Sequence, residues 1–282
     1  MRTMQQQLDA MQLGAVRAVS TGASLHICLN RPEARNAMSL QMVAELQQVL
    51  RAAEATAGTP GAVRVVVLRG EGGHFCAGAD LKDMAGARMR AMQRAEGEPD
   101  PIAEVNAAFG HLCAAYANTP LAVVAVLEGA VMGGGFGLAC VADVALASDT
   151  AAFRLPETSL GVVPAQIAPF LVERLGYSQA KRLAVTGGRL DAAGALAVGL
   201  VHAVTSPEGI AAALDTTLAD ILACAPGALA ATKALMRKAR FTAAADLVTE
   251  AAAIFSHAAQ GSEGQEGMTA FIQKRKPQWA VT

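Results

Sequence analysis

LAVVAVLEGAVMGGGFGLACVADVALAS, residues 121–148, sets an apolar run, a cluster of glycines and a second apolar run in direct succession. LAVVAVLEG (121–129) reads as a strand, residues 134–142 as a helix and DVALAS as the next strand. Strand, turn, helix and strand in so short a span argue for a βαβ unit and a largely parallel sheet. Five of the sixteen residues in 127–142 are glycine, and only Glu128 there carries a charge. Glycine lets a chain turn tightly and lets a ligand approach the backbone. Where such a turn opens a helix, its free N–H groups sit at the positive end of the helix dipole and suit an anion or a developing oxyanion.

The same design recurs upstream. AVRVVVLRG (62–70) reads as a β-branched strand, and EGGHFCAGADLKDM breaks into a loop before a helix that restarts near Asp80. ASLHICLNRP (23–32) reads as a strand stopped by Pro32, followed by a helix over 39–55 with Ser39 as its N-cap. Further on, 171–188 reads as a helix and 188–206 as a short helix closing on a strand. After Pro207 the pattern is almost wholly helical. The expected organisation is an α/β core over residues 1–206 and a helical region over 207–282. Residues 86–103 mix charge, Gly and Pro and read as a mobile loop or loosely packed helix beside a site.

Composition narrows the function classes. The 282 residues are 53% hydrophobic and carry a formal charge of −1, with a mean hydropathy of +0.34. Such apolarity calls for a large core, for surface buried between subunits, or for both. No basic stripe suggests nucleic-acid contact. Five dispersed cysteines form no C-x-x-C pair, so they read as reduced core residues without a metal or disulfide framework. MRTMQQQLDA lacks the apolar run of an export signal, and residues 129–142 are too short a charge-free stretch to span a bilayer. The expectation is a cytoplasmic protein without a membrane segment. The glycine cluster does not spell G-x-G-x-x-G, and G-x-x-x-x-G-K-[ST], HExxH and G-x-S-x-G are absent. The plain alternative for either glycine motif alone is close helix–sheet packing.

Five stretches in order, LNRPEARNAMS (29–39), GGHFCAGADLKDM (72–84), EGAVMGGGFGLACVADVALA (128–147), FRLPETSLGVVP (153–164) and EGMTAFIQKRK (266–276), resemble the enoyl-CoA hydratase/isomerase, or crotonase, family. The resemblance covers nearly the whole chain. It implies an α/β spiral of ββα units with a helical C-terminal trimerisation region, an acyl-CoA thioester substrate, no cofactor beyond the substrate's own coenzyme A, and a homotrimer or dimer of trimers. By position it implies an oxyanion hole from the N–H groups of Ala79, just after Gly78, and of Gly134, next to Gly133. Glu33, Ala34, Arg35 and Ala37 match the stretch along the CoA moiety, and Ala77, Asp80 and Leu81 match positions near adenine and pantetheine. Met84 matches an acyl-pocket residue; Phe271 and Lys274 match positions that reach a neighbouring subunit's CoA.

Family hydratases use two glutamates. The second matches Glu157, after Pro156 in LPETSLG, where partial desolvation should raise its pKa toward neutrality and suit proton exchange. The first falls at position 137, and this chain has Gly137. Three readings stay open: hydration with one glutamate, isomerisation of a C3=C4 double bond to C2=C3 with one base, and a feeble CoA-ester binding protein. The run GGGFG…PETSLG…PAQIAPF is similar to the bacterial subgroup acting on methylglutaconyl-CoA and isohexenylglutaconyl-CoA. Such substrates carry their own carboxylate, and Gly137 is expected to leave room for it. His74 could meet a CoA phosphate or be merely solvated; Asp143 reads as structural. His26, His111, His202 and His257 show no metal spacing.

Overall fold

Val65 to Leu68 and Ala122–Leu127 are apolar and buried throughout, and strands covered on both faces use such uninterrupted runs. The computed structural model describes residues 3–59 and 61–280. Residues 1, 2, 60, 281 and 282 lie outside them, including the first two residues of the segment read against an export signal and both ends of the two-part division.

The elements, in chain order, begin with α1 (Met4–Asp9), β1 (Val16–Thr21), β2 (Ser24–Leu29), α2 (Leu40–Glu54), β3 (Val65–Gly70), α3 (Leu81–Gln93) and α4 (Pro101–Asn118). The central unit is β4 (Ala122–Leu127), β5 (Ala130–Met132), α5 (Gly134–Val141), β6 (Val144–Ser148) and β7 (Ala152–Arg154). Then come α6 (Ala168–Thr186), β8 (Arg189–Asp191), α7 (Ala192–Ala197), β9 (Ala203–Thr205), α8 (Ile210–Ala223), α9 (Pro226–Ala239), α10 (Ala244–Gln260) and α11 (Ser262–Ile272).

The larger sheet has the order β1-β2-β3-β4-β6-β9, parallel throughout except for the β1–β2 hairpin. Alternation along β3 and β4 divides the core. Val66, Leu68, Val123, Ala125 and Leu127 face α2, α4 and α5, whereas Val65, Val67, Val124 and Val126 face Ile210 and Leu218 of α8. After β9 the chain is helical, and α8 covers the sheet's second face. A smaller sheet, β5-β7-β8, stands beside the first, and Phe153 on β7 meets Phe136 on α5 edge to face with ring centroids 6.2 Å apart.

Ser39 caps α2 as its sequence position implies, accepting the Met42 N–H. The glycine-rich stretch forms strand, turn, helix and strand as read. Residues 86–103 are more ordered than their composition suggested. Here α3 continues to Gln93, and Asp100 accepts the Ile102 N–H to cap α4, whose N1 position is Pro101. Proline fits that position, where no intrahelical donor is needed. The helix over 171–188 is present but broken at Gly176, whose φ is 69°.

The N-terminal hairpin is tied to α2 by a buried carboxylate. Glu45 accepts the N–H groups of Gly14, Ala15 and Val16, each at 2.9 Å. Truncating it strands buried donors at about 1–3 kcal/mol each. Glu45→Ala should therefore lower the urea unfolding free energy by about 3 kcal/mol; a midpoint equal to that of the native chain would show the tie to be dispensable.

Candidate active site

Two loops and one turn build the site. The first loop follows β3. Phe75 N–H bonds Glu128 O at 2.8 Å, Cys76 N–H bonds Ala130 O at 2.9 Å, and Met132 N–H returns to Cys76 O at 2.9 Å. This ladder lays residues 75–78 along β5 and against the N-terminus of α5. The approach is close enough to demand glycine: a β-carbon on Gly135 would lie 2.5 Å from Cys76 O. Gly78 and Gly133 take φ values of +104° and +49°, and a β-carbon on Gly133 would lie 3.6 Å from the Gly78 Cα.

The residues after these glycines carry the free donors. Among the described residues, neither the Ala79 N–H nor the Gly134 N–H has a hydrogen-bond partner, whereas Gly133 N–H bonds Arg154 O at 3.0 Å. Gly134 opens α5, so its N–H is one that a helix leaves unpaired and that the dipole makes attractive to negative charge.

A third strand of chain holds the first loop. Pro32–Ala34 form a 3-10 turn, with Glu33 exposed and Arg35 and Asn36 left-handed at φ 48° and 55°. Ala77 N–H bonds Arg35 O, Met38 N–H bonds Gly78 O at 2.7 Å, and Asp80 N–H bonds Met38 O. Arg31 Nη1 meets Asp80 Oδ2 at 2.6 Å and Ala37 O at 2.7 Å. Asp80 also accepts the Lys82 N–H to cap α3. Burial opposes its ionisation, but Arg31 and the helix amides outweigh that and hold its carboxyl below the ordinary range. Its side chain is thus engaged in holding the loop. Leu81 and Met84 follow on α3, the first exposed and the second half-buried.

Asn36, which the sequence reading did not single out, is fully buried at the centre of this lacing. Its Nδ2 donates to Glu71 O and His74 O at 2.8 and 2.7 Å, and its Oδ1 accepts the Arg31 N–H. The available signal was its place in RPEARNA, where a left-handed residue with a short amide is favoured. His74 also turns inward: its Nδ1 accepts the Ala130 N–H at 3.1 Å, which gives it a structural role. Asp143 is structural as read, accepting the Val123 N–H and pairing with Lys233 at 2.5 Å.

Glu157 begins the turn after Pro156. A β-carbon on Gly133 would stand 3.1 Å from its Oε1, so the carboxyl lies against the glycine that precedes Gly134. Its Oε2 is buried without a hydrogen-bond partner. Burial pushes its pKa above the ordinary glutamate value and outweighs a backbone hydrogen bond that lowers it.

One expectation fails here. Gly137 leaves no room for a substrate carboxylate, because a β-carbon on it would lie 2.4 Å from Ile167 Cγ2 and 3.6 Å from Phe109 Cε1. The space beside the glycine is packed with hydrocarbon. Phe271 lies in the last turn of α11 and Lys274 just beyond it, and none of the hydrogen bonds that lace the pocket reaches them. Both are exposed. Among the described residues no three His, Cys, Asp or Glu side chains form a metal-binding group, and no single helix is long and apolar enough to cross a membrane.

Residues 21–281 match the family described as enoyl-CoA hydratase/isomerase. An enoyl-CoA hydratase/isomerase from Marinobacter aquaeolei superposes with a TM-score of 0.88 at 49% identity, covering 95% of this chain and 99% of that one. Pseudomonas aeruginosa AtuE gives 0.89 at 48% identity, covering 95% and 100%. The 2,3-dehydroadipyl-CoA hydratase of Escherichia coli is 32% identical over 255 residues, 90% of this chain and 93% of that protein. The chain belongs to the enoyl-CoA hydratase/isomerase family and is an enzyme of that family with the crotonase-like α/β fold.

Asn36→Ala would orphan the Glu71 and His74 carbonyls and the Arg31 N–H, and would force alanine into a left-handed conformation. The expected cost is about 3 kcal/mol. Urea denaturation checks it: a shift under about 1 kcal/mol would mean that the turn is held by its backbone ladder alone.

Proposed function

We propose that the chain adds water across the double bond of a 2-enoyl-CoA thioester, using Glu157 as its single acid–base group. The thioester carbonyl would accept hydrogen bonds from the Ala79 and Gly134 N–H groups. The observation that carries this reading is the Glu157 carboxyl seated against Gly133, with one oxygen buried and unpartnered.

The chemistry then follows. The Glu157 carboxylate takes a proton from water as the oxygen attacks C3, and the C2=C3 electron pair moves toward the carbonyl to give an enolate. The two backbone donors hold the enolate oxygen, and Glu157 returns the proton to C2. Hydrogen and hydroxyl are added and the enzyme is regenerated. Each donor of such a hole is worth about 2.7–4 kcal/mol in the transition state. Glu33, Ala34, Arg35, Ala37, Ala77 and Leu81 are the residues we assign to the CoA chain, and Met84 to the acyl chain. Phe271 and Lys274 would serve a neighbouring subunit's CoA in a trimer or doubled trimer. The exposed Phe255, Met268, Phe271 and Ile272 on α10 and α11 support such burial between copies.

For the substrate we infer a branched glutaconyl-type ester. The support is the PETSLG…PAQIAPF run and a relative that acts on 2,3-dehydroadipyl-CoA, itself an enoyl ester with a distal carboxylate. A second reading is favoured by one specific observation. Hydrocarbon at Gly137 leaves Glu157 without a partner acid, and migration of a C3=C4 double bond to C2=C3 needs only one base.

Incubation with crotonyl-, 3-hexenoyl-, methylglutaconyl- and isohexenylglutaconyl-CoA separates the readings: a product heavier by one water marks hydration, and an unchanged mass with a moved double bond marks isomerisation. Inertness toward all four would leave a CoA-ester binding protein. Glu157→Gln should lower kcat by about 10²–10⁴-fold while CoA-ester affinity changes little; near-native turnover would remove Glu157 from the mechanism. Because the base form is the carboxylate and burial raises its pKa, activity should fall as pH drops through a value above the ordinary ~4.3 of glutamate. That acidic limb should be missing from the residual activity of the Gln variant. A limb persisting unchanged would assign it to another group.

A further inference from the structure

The hydrocarbon at Gly137 is held in place from two sides. Ile167 is 3% exposed and fills the space beside Gly137. The preceding Gln166 donates from Nε2 to Asn106 Oδ1 at 2.8 Å, and its amide lies so close to α4 that a β-carbon on Gly110 would stand 2.1 Å from Gln166 Oε1. Residues 166 and 167 thus clamp α4 onto α5. Between Asn106 and Gly110, α4 carries Phe109, whose ring lies against two glycines of α5: Cζ would lie 3.2 Å from a β-carbon on Gly134, and Cε1 3.6 Å from one on Gly137. Phe109 packs against the core but is not itself buried. Its ring edge therefore lies beside the glycine whose N–H is free.

We propose that Phe109, held by the Gln166–Ile167 clamp over Gly137, is the specificity-determining residue of the acyl pocket. It presents an aromatic edge beside the position a second carboxylate would need, and it selects thioesters with an alkyl branch next to the reacting carbons. An aromatic edge gains contact with a methyl group and offers nothing to water or a charge. The clamp makes residues 137 and 167 a coupled pair, because neither can change size without the other. The proposal rests on the reading that the thioester carbonyl sits at Ala79 and Gly134.

Two measurements test it, and they fail separately. Calorimetry with the unreactive esters butanoyl-CoA and 3-methylbutanoyl-CoA reads specificity without turnover. The native chain should bind the branched ester more tightly, and Phe109→Ala should weaken that ester about tenfold while changing the linear one far less. An equal loss for both esters would overturn the assignment of Phe109. Binding of neither ester would overturn the thioester reading and this proposal with it. The clamp is read by thermal unfolding of Gly137→Ala, Ile167→Ala and the double variant. The added methyl at 137 should lower Tm alone and should raise it when Ile167 is already cut back. Additive shifts would show that the two positions are uncoupled and would overturn the clamp.

Discussion

The close approach of two glycine loops is the constraint on which the site depends. Cys76 both donates to Ala130 O and accepts from Met132 N–H, so the loop after β3 runs as an extra strand along β5. That ladder brings Gly78 so near Gly133 that a β-carbon on Gly133 would touch the Gly78 Cα, and it seats Gly135 on the Cys76 carbonyl. Any side chain at 135 would push the loops apart. Backbone N–H groups are effective catalytic donors only when fixed before the substrate arrives, and here two sheets and the Asn36 hub fix them. The cost is carried as left-handed backbone and unpaired donors, within a core packed well enough to hold them.

The carboxylate belongs to the same logic. Glu157 sits in a turn between β7 and α6, and β7 is tied to the loop through Gly133 N–H to Arg154 O. Its position against Gly133 follows from that strand, and its raised pKa follows from burial. Ile167 and Phe109 pack beside Gly137, the position that the family resemblance assigns to a second acid, so the reading proposed above relies on one carboxylate.

Much of this was legible in the chain. The valine-rich runs of β3 and β4, the glycine turn into α5 and the Ser39 cap announce themselves because local chemistry alone demands those conformations. The short strands β5, β7 and β8 did not, since three residues carry no periodicity and exist only by pairing with distant partners. Helix α4 was hidden because IAEVNAAFGHLCAAYAN is apolar on several faces; its one clear mark was the Asp100–Pro101 start. The role of Asn36 and the inward turn of His74 depend on carbonyls and amides brought from elsewhere in the sequence. The filling of Gly137 is the sharpest case. An absent side chain suggests a vacancy in the sequence, but only packing reveals that Ile167, thirty residues on, has taken it.

The central claim is that Ala79 and Gly134 together hold a thioester oxygen. A crystal structure of the Glu157→Gln variant with a saturated acyl-CoA tests it most directly. The account predicts the carbonyl oxygen about 2.7–3.1 Å from both backbone nitrogens, with the residue-157 side chain over the carbons next to it. A carbonyl turned to solvent, or bound to neither amide with the thioester lying elsewhere, would contradict it.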